Sequence, residues 1–342
     1  MNGKPTIAVY GARGHTGRFV VSELRRRGIP TIPSARDPGE PCVEYSAGLL
    51  SDIRVARVEN SKELDSAFLG ASAIINCAGP FIDTAVPVVE AAIRAHIPYV
   101  DIAAEQQSVF NVFETCSKTA RRVGIVVTPA MGFYGAFADL LATATMRDWT
   151  SADEVSIAVA LDSWHPTRGT RRTGERNVGT RLVLTHGTLK RMDPPPGSPW
   201  TFPPPFGRQR MVGLALSEMI LVSRHLRVSE VRLFLNQSPL DDLLNPATPA
   251  PVPSDDLGRS SQVFALDVVV RKGSKQRRTV ARGRDIYAVT APIAVEAVER
   301  IVDGRSKGVG VLAAGEAFDA RDFLDSLQLR YPGLEISEVL PG

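Results

Sequence analysis

Cysteine is scarce in this chain of 342 residues, which carries three of them, Cys42, Cys77 and Cys116. An odd number at such wide spacing provides no disulfide framework, and without a CxxC pair the usual spacing of a zinc site is missing. The five histidines form no cluster with metal-ligand spacing either. We therefore expect a reduced, intracellular protein that binds no metal ion.

An excess of charge of one sign and long apolar runs are missing as well. The formal net charge is +3, which is too small for the broad basic surface that nucleic acids require. No apolar run is long enough to cross a bilayer, and Gly11 and Arg13 interrupt the apolar segment that a secretory signal would need. These absences predict a cytoplasmic protein without a nucleic-acid partner and without membrane insertion.

What the chain does contain is a glycine-rich turn between a strand pattern and a helical pattern. Residues 6–10 are rich in apolar and β-branched side chains, and the turn that follows reads Gly11-Ala12-Arg13-Gly14-His15-Thr16-Gly17. In such a turn Gly11 allows the tight bend, Gly14 lets N–H groups approach a phosphate, and Gly17 lets the helix pack closely on the strand. The turn predicts a dinucleotide site, and the side chains between its glycines are candidate contacts, namely Arg13, His15 and Thr16.

The residues at the end of the second predicted strand indicate which dinucleotide binds. An acidic residue there binds the free 2′-hydroxyl of NAD, whereas a basic residue accepts the 2′-phosphate of NADP. Arg36 is the first charged residue after the run 29–35 and can pair with a phosphate in a bidentate way, and Ser34 can add a hydroxyl. Asp37 would favour NAD if it occupied that position. Because Arg36 comes first, we predict NADP(H), with Arg13 as a second candidate for the same phosphate.

The first part of the chain alternates strand and helix patterns. They follow each other at 55–58, 61–69, 73–77, 84–95, 99–102, in a helix that ends at 122, and at 124–127. Ser61 is expected to cap the first of these helices. The alternation predicts a parallel, doubly wound sheet of the Rossmann type. The loop after 73–77 lies at the carboxyl edge of this sheet, where ligands bind, and its residues are candidate cofactor contacts: Ala78, Gly79, Pro80 and Phe81.

The pattern changes in the second half. Alternating strand patterns, which predict a mainly antiparallel sheet with one solvated face, stand at 155–161, 181–184, 228–235, 263–270 and 279–281. The proline-rich stretches 193–206 and 239–253 are expected to be coil. A helix over 211–224 would serve as core or as a dimer contact.

Helical patterns return at 291–302, with Pro292 in the first turn, and at 320–327. Because such helices pack back on the first domain, we predict a dinucleotide-binding domain of 1–130 plus 285–342. Residues 131–284 would form a substrate and dimerisation domain. The expected fold class is α/β, a Rossmann-type doubly wound parallel sheet with a second α+β domain on a mainly antiparallel sheet.

With these segments placed, the sequence resembles the saccharopine dehydrogenase-like reductases, including their trans-acting enoyl reductase branch. The likeness rests on the glycine turn with residues 34–37 and on the segments 76–81, 99–105 and 132–139. It implies an NADP(H)-dependent enzyme that reduces C=N or C=C bonds or runs the reverse oxidation. It also implies that the Gly79-Pro80-Phe81 loop lies beside the nicotinamide ribose and that Asp101 and Glu105 line the cleft. The middle of the chain matches only loosely, which argues against saccharopine as the substrate.

Hydride transfer also needs a proton donor for the atom that becomes basic. A Tyr-x-x-x-Lys pair is not formed at Tyr134, because Ala138 stands four residues further on. Five polar residues of the predicted carboxyl edge are candidates, each with an ordinary structural alternative such as a turn cap or a first-turn acid: Tyr99, Asp101, Glu105, Tyr134 and Asp139. Tyr134 is the first choice, because it follows a strand end and stands between glycines.

The middle of the chain has one distinctive polar segment, residues 162–173. As a substrate clamp it would use Arg168 and Arg171 for a carboxylate or phosphate, Trp164 for stacking and His165 for a proton. Asp139 is a further candidate contact. As an ordinary segment it would be a solvated basic turn or a subunit contact. The clamp predicts an anionic substrate, either a free acid or a thioester on a phosphate-bearing carrier.

These features favour an oxidoreductase that transfers hydride between NADP(H) and a C=C or C=N bond of a small anionic or carrier-bound substrate. The residues leave open a redox sensor that binds NADP(H) without turnover, since a Rossmann fold serves both. They also leave open a member of a multi-enzyme assembly. A reductase needs convergent polar groups in its cleft and a sensor does not, so the candidate groups above favour the reductase.

Overall fold

The computed structural model of the protein describes residues 4–36, 52–176 and 181–339, so that Asp37 and Cys42 lie outside the described residues. The strands are, in chain order, β1 Ile7–Tyr10, β2 Thr31–Ala35, β3 Arg54–Val55, β4 Ala73–Asn76, β5 Tyr99–Asp101, β6 Val126–Thr128, β7 Ala152–Leu161, β8 Leu182–Thr185, β9 Thr188–Arg191, β10 Trp200–Thr201, β11 Arg208–Gln209, β12 Met211–Leu214, β13 Val228–Asn236, β14 Val263–Lys272, β15 Lys275–Arg284, β16 Gly310–Val311 and β17 Glu335–Val339. The helices are α1 His15–Arg26, α2 Ser61–Ala67, α3 Phe81–Ala95, α4 Gln106–Val123, α5 Ala136–Met146, α6 Arg168–Arg176, α7 Glu218–His225, α8 Gln237–Leu244, α9 Ile286–Val302, α10 Ala314–Ala317 and α11 Ala320–Arg330.

The first sheet is parallel, with seven described strands in the order β16-β6-β5-β4-β1-β2-β3. The side chains of its central strand alternate between two apolar layers. Ile7 and Val9 pack with α1 and α9, while Ala8 and Tyr10 pack with α2, α3 and α4. A sheet covered on both faces needs apolar residues at nearly every position, which explains the continuous apolar strand patterns. The predicted Rossmann-type doubly wound sheet is confirmed.

The strand order places a ligand-binding crevice. From β1 the chain runs to β2 and β3 on one side of the sheet and then crosses to β4, β5 and β6 on the other. In open α/β sheets the crevice lies at the carboxyl ends of the strands where this direction reverses. The turn after β1 and the loop after β4 therefore meet where a dinucleotide is expected.

The starts of helices α2 and α9 differ from the sequence prediction. Asn60 rather than Ser61 caps α2, because its side chain accepts two backbone N–H groups of the first turn. Helix α9 begins at Ile286 instead of residue 291, so Pro292 lies inside the helix and not in its first turn. Apolar residues on both sides of that proline hid the true start of α9.

The second sheet has the order β12-β13-β7-β14-β15-β17 within the described ranges. Its strand pairs are antiparallel except for β7 and β13, which run parallel, so the mainly antiparallel prediction is confirmed. The expected solvated face is wrong over part of the sheet. The β10–β11 hairpin brings Trp200, Phe202 and Phe206 onto an apolar patch that includes Ala158 and Phe234.

Two further assignments in this half are wrong. Residues 211–224 form strand β12 followed by helix α7, not one helix. The proline-rich stretches also contain regular structure, since β10 lies in the first and α8 runs into the second. Pro239 is tolerated in the first turn of α8, where a backbone N–H has no partner within the helix.

The last part of the chain contributes to both sheets. Strand β16 joins the first sheet beside β6, and β17 joins the second beside β15. Helix α9 packs against α1 and strands β4 and β5. The division into 1–130 plus 285–342 and 131–284 stays a prediction.

A buried network of charges joins α9 to α1. The Arg27 guanidinium donates to Glu23 at 2.7 Å and to Glu296 at 2.8 Å, and it also contacts Glu299. Arg300 donates to the same Glu296 carboxylate at 2.8 Å. The Arg27 side chain is 3% exposed and that of Glu296 is fully buried. Because a buried charge is very costly without its partner, these contacts fix the two helices relative to each other.

None of the helices within residues 4–36, 52–176 and 181–339 is both long enough and apolar enough to span a membrane.

Candidate functional site

The glycine turn lies at the carboxyl end of β1, where it touches the loop after β4. Gly11 has φ +84°, and a Cβ placed on it would lie 2.7 Å from the backbone nitrogen of Ala78. A Cβ on Gly17 would lie 2.2 Å from the Gly11 carbonyl oxygen, and one on Gly14 would lie 3.1 Å from the same atom. The turn, the β4 loop and the start of α1 therefore pack backbone against backbone, which requires glycine.

The start of α1 offers a site for an anion. Gly14 precedes the helix and provides no side-chain cap for its first N–H groups, which include that of Thr16. Such N–H groups and the helix dipole attract phosphate. Burial lowers the pKa of His15 to about 4, against the opposing effect of Asp285, so the ring is neutral at pH 7. The glycine turn and the first N–H groups of α1 together form a cradle of backbone atoms. This cradle fits the pyrophosphate of a dinucleotide.

Arg36 follows β2 and is available for a phosphate. It forms no ion pair or hydrogen bond with a described residue. Burial raises the pKa of nearby Tyr10 to about 12, and the charge of Arg36 opposes this rise. Ser34 is fully buried, and its carbonyl accepts the Gly11 N–H at 2.8 Å. Ser34 therefore supports the turn through its backbone, while half-buried Arg13 lies within the turn itself.

The loop after β4 is held by Asn76. Its side-chain oxygen accepts the Ala78 N–H at 2.9 Å, and its amide nitrogen donates to the Tyr99 hydroxyl at 3.1 Å. The Thr84 hydroxyl donates to the Ala78 carbonyl at 2.6 Å. These bonds fix residues 78–81 at the reversal point between β1 and β4.

Asp101 ends β5 and ties two loops together. Its carboxylate is fully buried and accepts the N–H groups of Ala103 at 3.0 Å and Ala130 at 2.7 Å. It also accepts the Tyr99 hydroxyl at 2.8 Å. Burial raises the pKa of Asp101 to about 6, and these three donors oppose the rise. The carboxylate thus joins the ends of β5 and β6.

Glu105 links the β4 loop to helix α6. Its carboxylate accepts the Phe81 N–H at 2.9 Å and the Ala104 N–H at 3.1 Å. Burial raises the pKa of Glu105, and a side-chain hydrogen bond with Thr173 of α6 is among the contacts that oppose the rise. The Thr173 hydroxyl would also lie 3.4 Å from a Cβ on Gly79. Helix α6 therefore packs, through Thr173, against the loop expected beside the nicotinamide.

A row of aromatic rings runs from the turn after β6 to the glycine turn. Trp164 stacks on Tyr134 with 5.6 Å between ring centroids and 22° between planes. Its indole N–H donates to the Tyr287 hydroxyl at 2.9 Å. The Tyr287 ring packs edge-on against His15, with centroids 5.2 Å apart. The row connects the turn after β6 with the cofactor cradle.

Three buried side chains that adjoin Gly135, along the chain or in space, each have a polar atom without a hydrogen-bond partner in the part of the chain that the structure describes. These atoms are the Tyr134 hydroxyl, the Ser217 hydroxyl and Oε2 of Glu218. The Gly135 N–H donates to Oε1 of Glu218 at 2.8 Å, and a Cβ on Gly135 would lie 2.9 Å from the Ser217 hydroxyl. Burial raises the pKa of Glu218 to about 7. Burial, and next the charge of Glu218, raise the pKa of Tyr134 well above its usual range.

The arginines of α6 have different surroundings. Arg171 donates to the backbone carbonyls of Asn245 at 3.2 Å and Thr248 at 2.7 Å, so it anchors the segment after α8. Arg168 and Arg172 are exposed and form no ion pair or hydrogen bond with a described residue. The two predicted clamp arginines therefore differ: Arg171 anchors a backbone segment, whereas Arg168, like Arg172 beside it, has no such contact with a described residue.

Other predicted residues are engaged in contacts within the fold or lie elsewhere. Asp139 is fully buried on α5, where its carboxylate bonds to the His225 ring at 2.7 Å and accepts the Gly315 N–H at 2.8 Å. This placement does not suit a substrate contact. His165 is half-buried between Trp164 and α6. Burial raises the pKa of the Cys77 thiol, as suits a packing residue.

Sequence reasoning missed Ser217, Glu218 and Tyr287. The first two stood inside an apolar run that was assigned to one helix, so the start of α7 was hidden. A serine and an acid immediately before an apolar segment are a helix-start signal that could have found them. Tyr287 lay before the predicted start of α9. Residues 4–36, 52–176 and 181–339 contain no group of three or more His, Cys, Asp or Glu side chains that could hold a metal ion.

The first part of the chain matches a known family model. Residues 7–127 match the saccharopine dehydrogenase NADP binding domain. Among curated proteins, the saccharopine dehydrogenase-like oxidoreductase of Mus musculus is 26% identical over 156 residues, and that of Homo sapiens is 25% identical over 156 residues. Each match covers 39% of this chain and 35% of the relative, so the chain spans about a third of the length of these relatives.

Solved structures show the same fold over nearly the whole chain. Apo saccharopine dehydrogenase (L-Glu forming) from Saccharomyces cerevisiae superposes with a TM-score of 0.66 at 14% identity and covers 99% of this chain and 100% of that one. DAP dehydrogenase of C. glutamicum gives a TM-score of 0.51 at 12% identity, with 96% and 99% covered. Through residues 7–127, which match an NADP-binding domain, the chain is similar to the saccharopine dehydrogenase-like oxidoreductases.

Proposed function

We propose that the protein reduces a C=C or C=N bond of a small anionic substrate with NADPH, or runs the reverse oxidation. The observation that carries this proposal is the Tyr134 hydroxyl, a buried proton donor without a hydrogen-bond partner among the described residues. It lies at the turn after β6, on the carboxyl edge of the NADP-binding sheet. A buried hydroxyl that the fold leaves unsatisfied is costly, and a reacting group can compensate for that cost.

The residues around the cleft suit distinct roles in this reaction. The glycine turn and the start of α1 would hold the pyrophosphate, and Arg36 the 2′-phosphate. Bound NADPH would supply the hydride. Tyr134 would protonate the atom that becomes basic, with His165 as the second candidate. Asp101 and Glu105 act as positioning residues, because their carboxylate oxygens are occupied by donors of the surrounding loops.

Two cations on α6 that have no partner among the described residues support an anionic substrate. Arg168 and Arg172 lie on the helix whose Thr173 packs against the β4 loop, and an arginine binds a carboxylate or a phosphate in a bidentate way. Trp164 would form a wall of the substrate site. Both a free acid and a thioester on a phosphate-bearing carrier have this chemistry. The resemblance to the trans-acting enoyl reductases favours a C=C bond, and a homodimer through the second domain in the cytoplasm is proposed with it.

The test is a cofactor titration followed by a substrate panel. Nicotinamide fluorescence should show tight NADPH and weak NADH binding. NADPH oxidation is then followed with α,β-unsaturated acids, their thioesters and imino acids, and turnover is expected with one class. Tyr134→Phe should leave NADPH binding unchanged and reduce turnover by about 10²- to 10⁴-fold, the usual contribution of a general acid. Tyr331→Phe, far along the chain and bonded to the Arg284 carbonyl, is the matched control.

Each outcome either distinguishes the reductase from the redox sensor or tests Tyr134 as the proton donor. Tight NADPH binding with no turnover in any class would favour the redox sensor. Full turnover by Tyr134→Phe would remove Tyr134 as the donor. Failure to bind either nucleotide would remove the reductase.

A further inference from the structure

Helix α6 has no apolar face. None of its nine described side chains is buried, four of them are arginines, and glycine stands at positions 169 and 174. Arg168 places a positive charge in the first turn, where the helix dipole disfavours it. A short helix of this composition is unstable without tertiary contacts. Its conformation therefore depends on polar contacts with the rest of the molecule.

The hydroxyl of half-buried Tyr287, the second residue of α9, lies at the start of α6. It accepts the indole N–H of Trp164 at 2.9 Å and the backbone N–H of Thr167 at 3.4 Å. It also lies 3.0 Å from the Thr170 hydroxyl. A phenolic oxygen has two lone pairs and one proton. Because N–H donors use both lone pairs, the proton of Tyr287 is donated to the oxygen of Thr170.

The two threonines bonded to Tyr287 form the cap of α6. The Thr167 hydroxyl oxygen accepts the Thr170 N–H at 3.0 Å, which is the bond that an N-cap side chain makes to the third residue of a helix. The two threonine hydroxyls lie 2.9 Å apart. The loop before the cap is held as well, because the backbone N–H of Trp164 donates to Asp242 at 3.0 Å. A single hydroxyl of α9 thus fixes the start of α6.

The ring of Tyr287 contacts the cofactor cradle. It packs edge-on against His15, the first residue of α1, with 5.2 Å between ring centroids. Further along α6, the Thr173 hydroxyl would lie 3.4 Å from a Cβ on Gly79 in the loop after β4. Tyr287 therefore connects the cradle to a helix that packs on the second cofactor loop.

We propose that Tyr287 is a positioning residue for the anionic substrate. The inference rests on the proposed function, which assigns two arginines of α6 and the Trp164 indole to the substrate. The Tyr287 hydroxyl holds that indole and the start of α6. The backbone that carries Arg168 and Arg172 is thereby ordered before the substrate binds, which lowers the entropy cost of binding. Tyr287 itself donates no proton in the reaction, because Thr170 accepts the one it has.

Limited digestion of the full chain with trypsin tests this anchoring without a substrate. Trypsin cleaves after arginine, but a helix must open before it is cut. Tyr287→Phe removes the hydroxyl and keeps the ring, so cleavage within α6 should be about tenfold faster, the effect of about one lost hydrogen bond. Thr170→Val removes the accepting hydroxyl from the helix instead, and it should act in the same way even if Tyr287→Phe does not fold. Tyr331→Phe, which loses a bond to the Arg284 carbonyl, should keep the wild-type rate. Cleavage of α6 at the wild-type rate in either folded test variant would overturn the proposal.

Kinetics separates this inference from the proposed function. With the unsaturated acid, thioester or imino acid that the wild type accepts, Tyr287→Phe should raise KM roughly tenfold and change kcat less. NADPH affinity should not change, because the ring that packs on His15 remains. Equal losses of affinity for NADPH and substrate, or a fall in kcat at unchanged KM, would overturn the inference.

The two possible failures are distinguishable. If the wild type turns over a substrate and Tyr287→Phe has the wild-type KM, the inference fails and the proposed function stands. If the wild type turns over no substrate of the panel, the proposed function fails, and this role of Tyr287 fails with it.

Discussion

Gly17 approaches Gly11 so closely that a Cβ on Gly17 would lie 2.2 Å from the Gly11 carbonyl oxygen. The first turn of α1 is therefore pressed against the turn that would hold the pyrophosphate. Gly17→Ala should displace this turn, lower stability by about 1–3 kcal/mol as overpacking does, and abolish measurable NADPH binding. Gly174→Ala, where a Cβ meets nothing within 4 Å, is the control in the same thermal melts and fluorescence titrations. Wild-type NADPH affinity in Gly17→Ala would contradict the assignment of the cradle.

Arg36 is expected to select NADPH over NADH. A charge-assisted hydrogen bond contributes about 1.5–3 kcal/mol, so Arg36→Ala should weaken NADPH binding by roughly 10- to 100-fold and leave NADH binding nearly unchanged. Titrations of both nucleotides measure this difference. Arg94→Ala, which breaks an exposed pair with Asp65, controls for a general loss of positive charge. Equal losses for the two nucleotides would show that Arg36 does not contact the 2′-phosphate.

The pKa of Glu218 predicts a specific pH dependence of stability. Its folded-state pKa of about 7 lies above the ordinary 4.5, so the folded protein holds the proton more tightly than the unfolded chain. This contribution is fully present below pH 4.5 and is lost as the pH rises through 7. At about 1.4 kcal/mol per pKa unit it amounts to roughly 3 kcal/mol.

Denaturation of the wild type and Glu218→Gln at pH 5 and pH 8 measures this contribution. The glutamine cannot ionise and still offers an oxygen to the Gly135 N–H, so the variant should lose less stability between the two pH values. Parallel pH dependence of the two proteins would mean that Glu218 is already ionised at pH 5.

Arg27 and Arg26 are neighbours, but we expect them to contribute very differently to the free energy of unfolding. Arg27 is 3% exposed and pairs with the fully buried Glu296, whereas Arg26 is 52% exposed and pairs with Glu23. Removing one partner of a buried pair costs about 3–5 kcal/mol, while an exposed pair contributes about 0–1 kcal/mol. Arg27→Ala should therefore unfold at much lower denaturant than Arg26→Ala. Similar midpoints for the two variants would contradict a stabilising role of the network.

The arginines of α6 should separate by function. Arg168→Ala combined with Arg172→Ala should raise KM for the anionic substrate by roughly tenfold or more per lost charge-assisted bond, with NADPH affinity unchanged. Arg171→Ala should instead release the backbone near Asn245 and Thr248, which limited proteolysis would detect. An unchanged KM in the double variant would place the substrate anion elsewhere.

Sequence patterns predicted contacts between residues that are close along the chain, and they missed contacts between residues that are far apart. The close approach of Gly17 to the Gly11 carbonyl was predicted because it joins residues six positions apart. The bond between Gly135 and Glu218 joins residues 83 positions apart, and that between Arg171 and Thr248 joins residues 77 apart. Such contacts depend on how the sheets and helices pack together, which local patterns do not encode. The clamp stays a prediction, and the sequence did not show that Arg171 bonds to the backbone of Asn245 and Thr248.

Local patterns also misled where two elements share one apolar run. Residues 211–224 read as one helix, although a strand and a helix follow each other there. The spacing of apolar residues fits both elements. Only the Ser217-Glu218 pair marked the junction between the strand and the helix. Buried Glu218 lies at this polar junction, so the error in secondary structure and the missed residue have one cause.

The placement of α9, β16 and β17 bears on how the protein is made. All three elements follow residue 285, yet α9 covers the first sheet, β16 is its edge strand and β17 is the edge of the second sheet. A nascent chain that has left the ribosome only as far as residue 285 would therefore expose the apolar face that α9 covers and an unpaired edge on each sheet. Such intermediates associate readily with one another. Synthesis of this protein thus leaves its cofactor half unfinished until the last elements emerge, and a chaperone that shields β6 and β15 during that interval would raise the yield of folded protein.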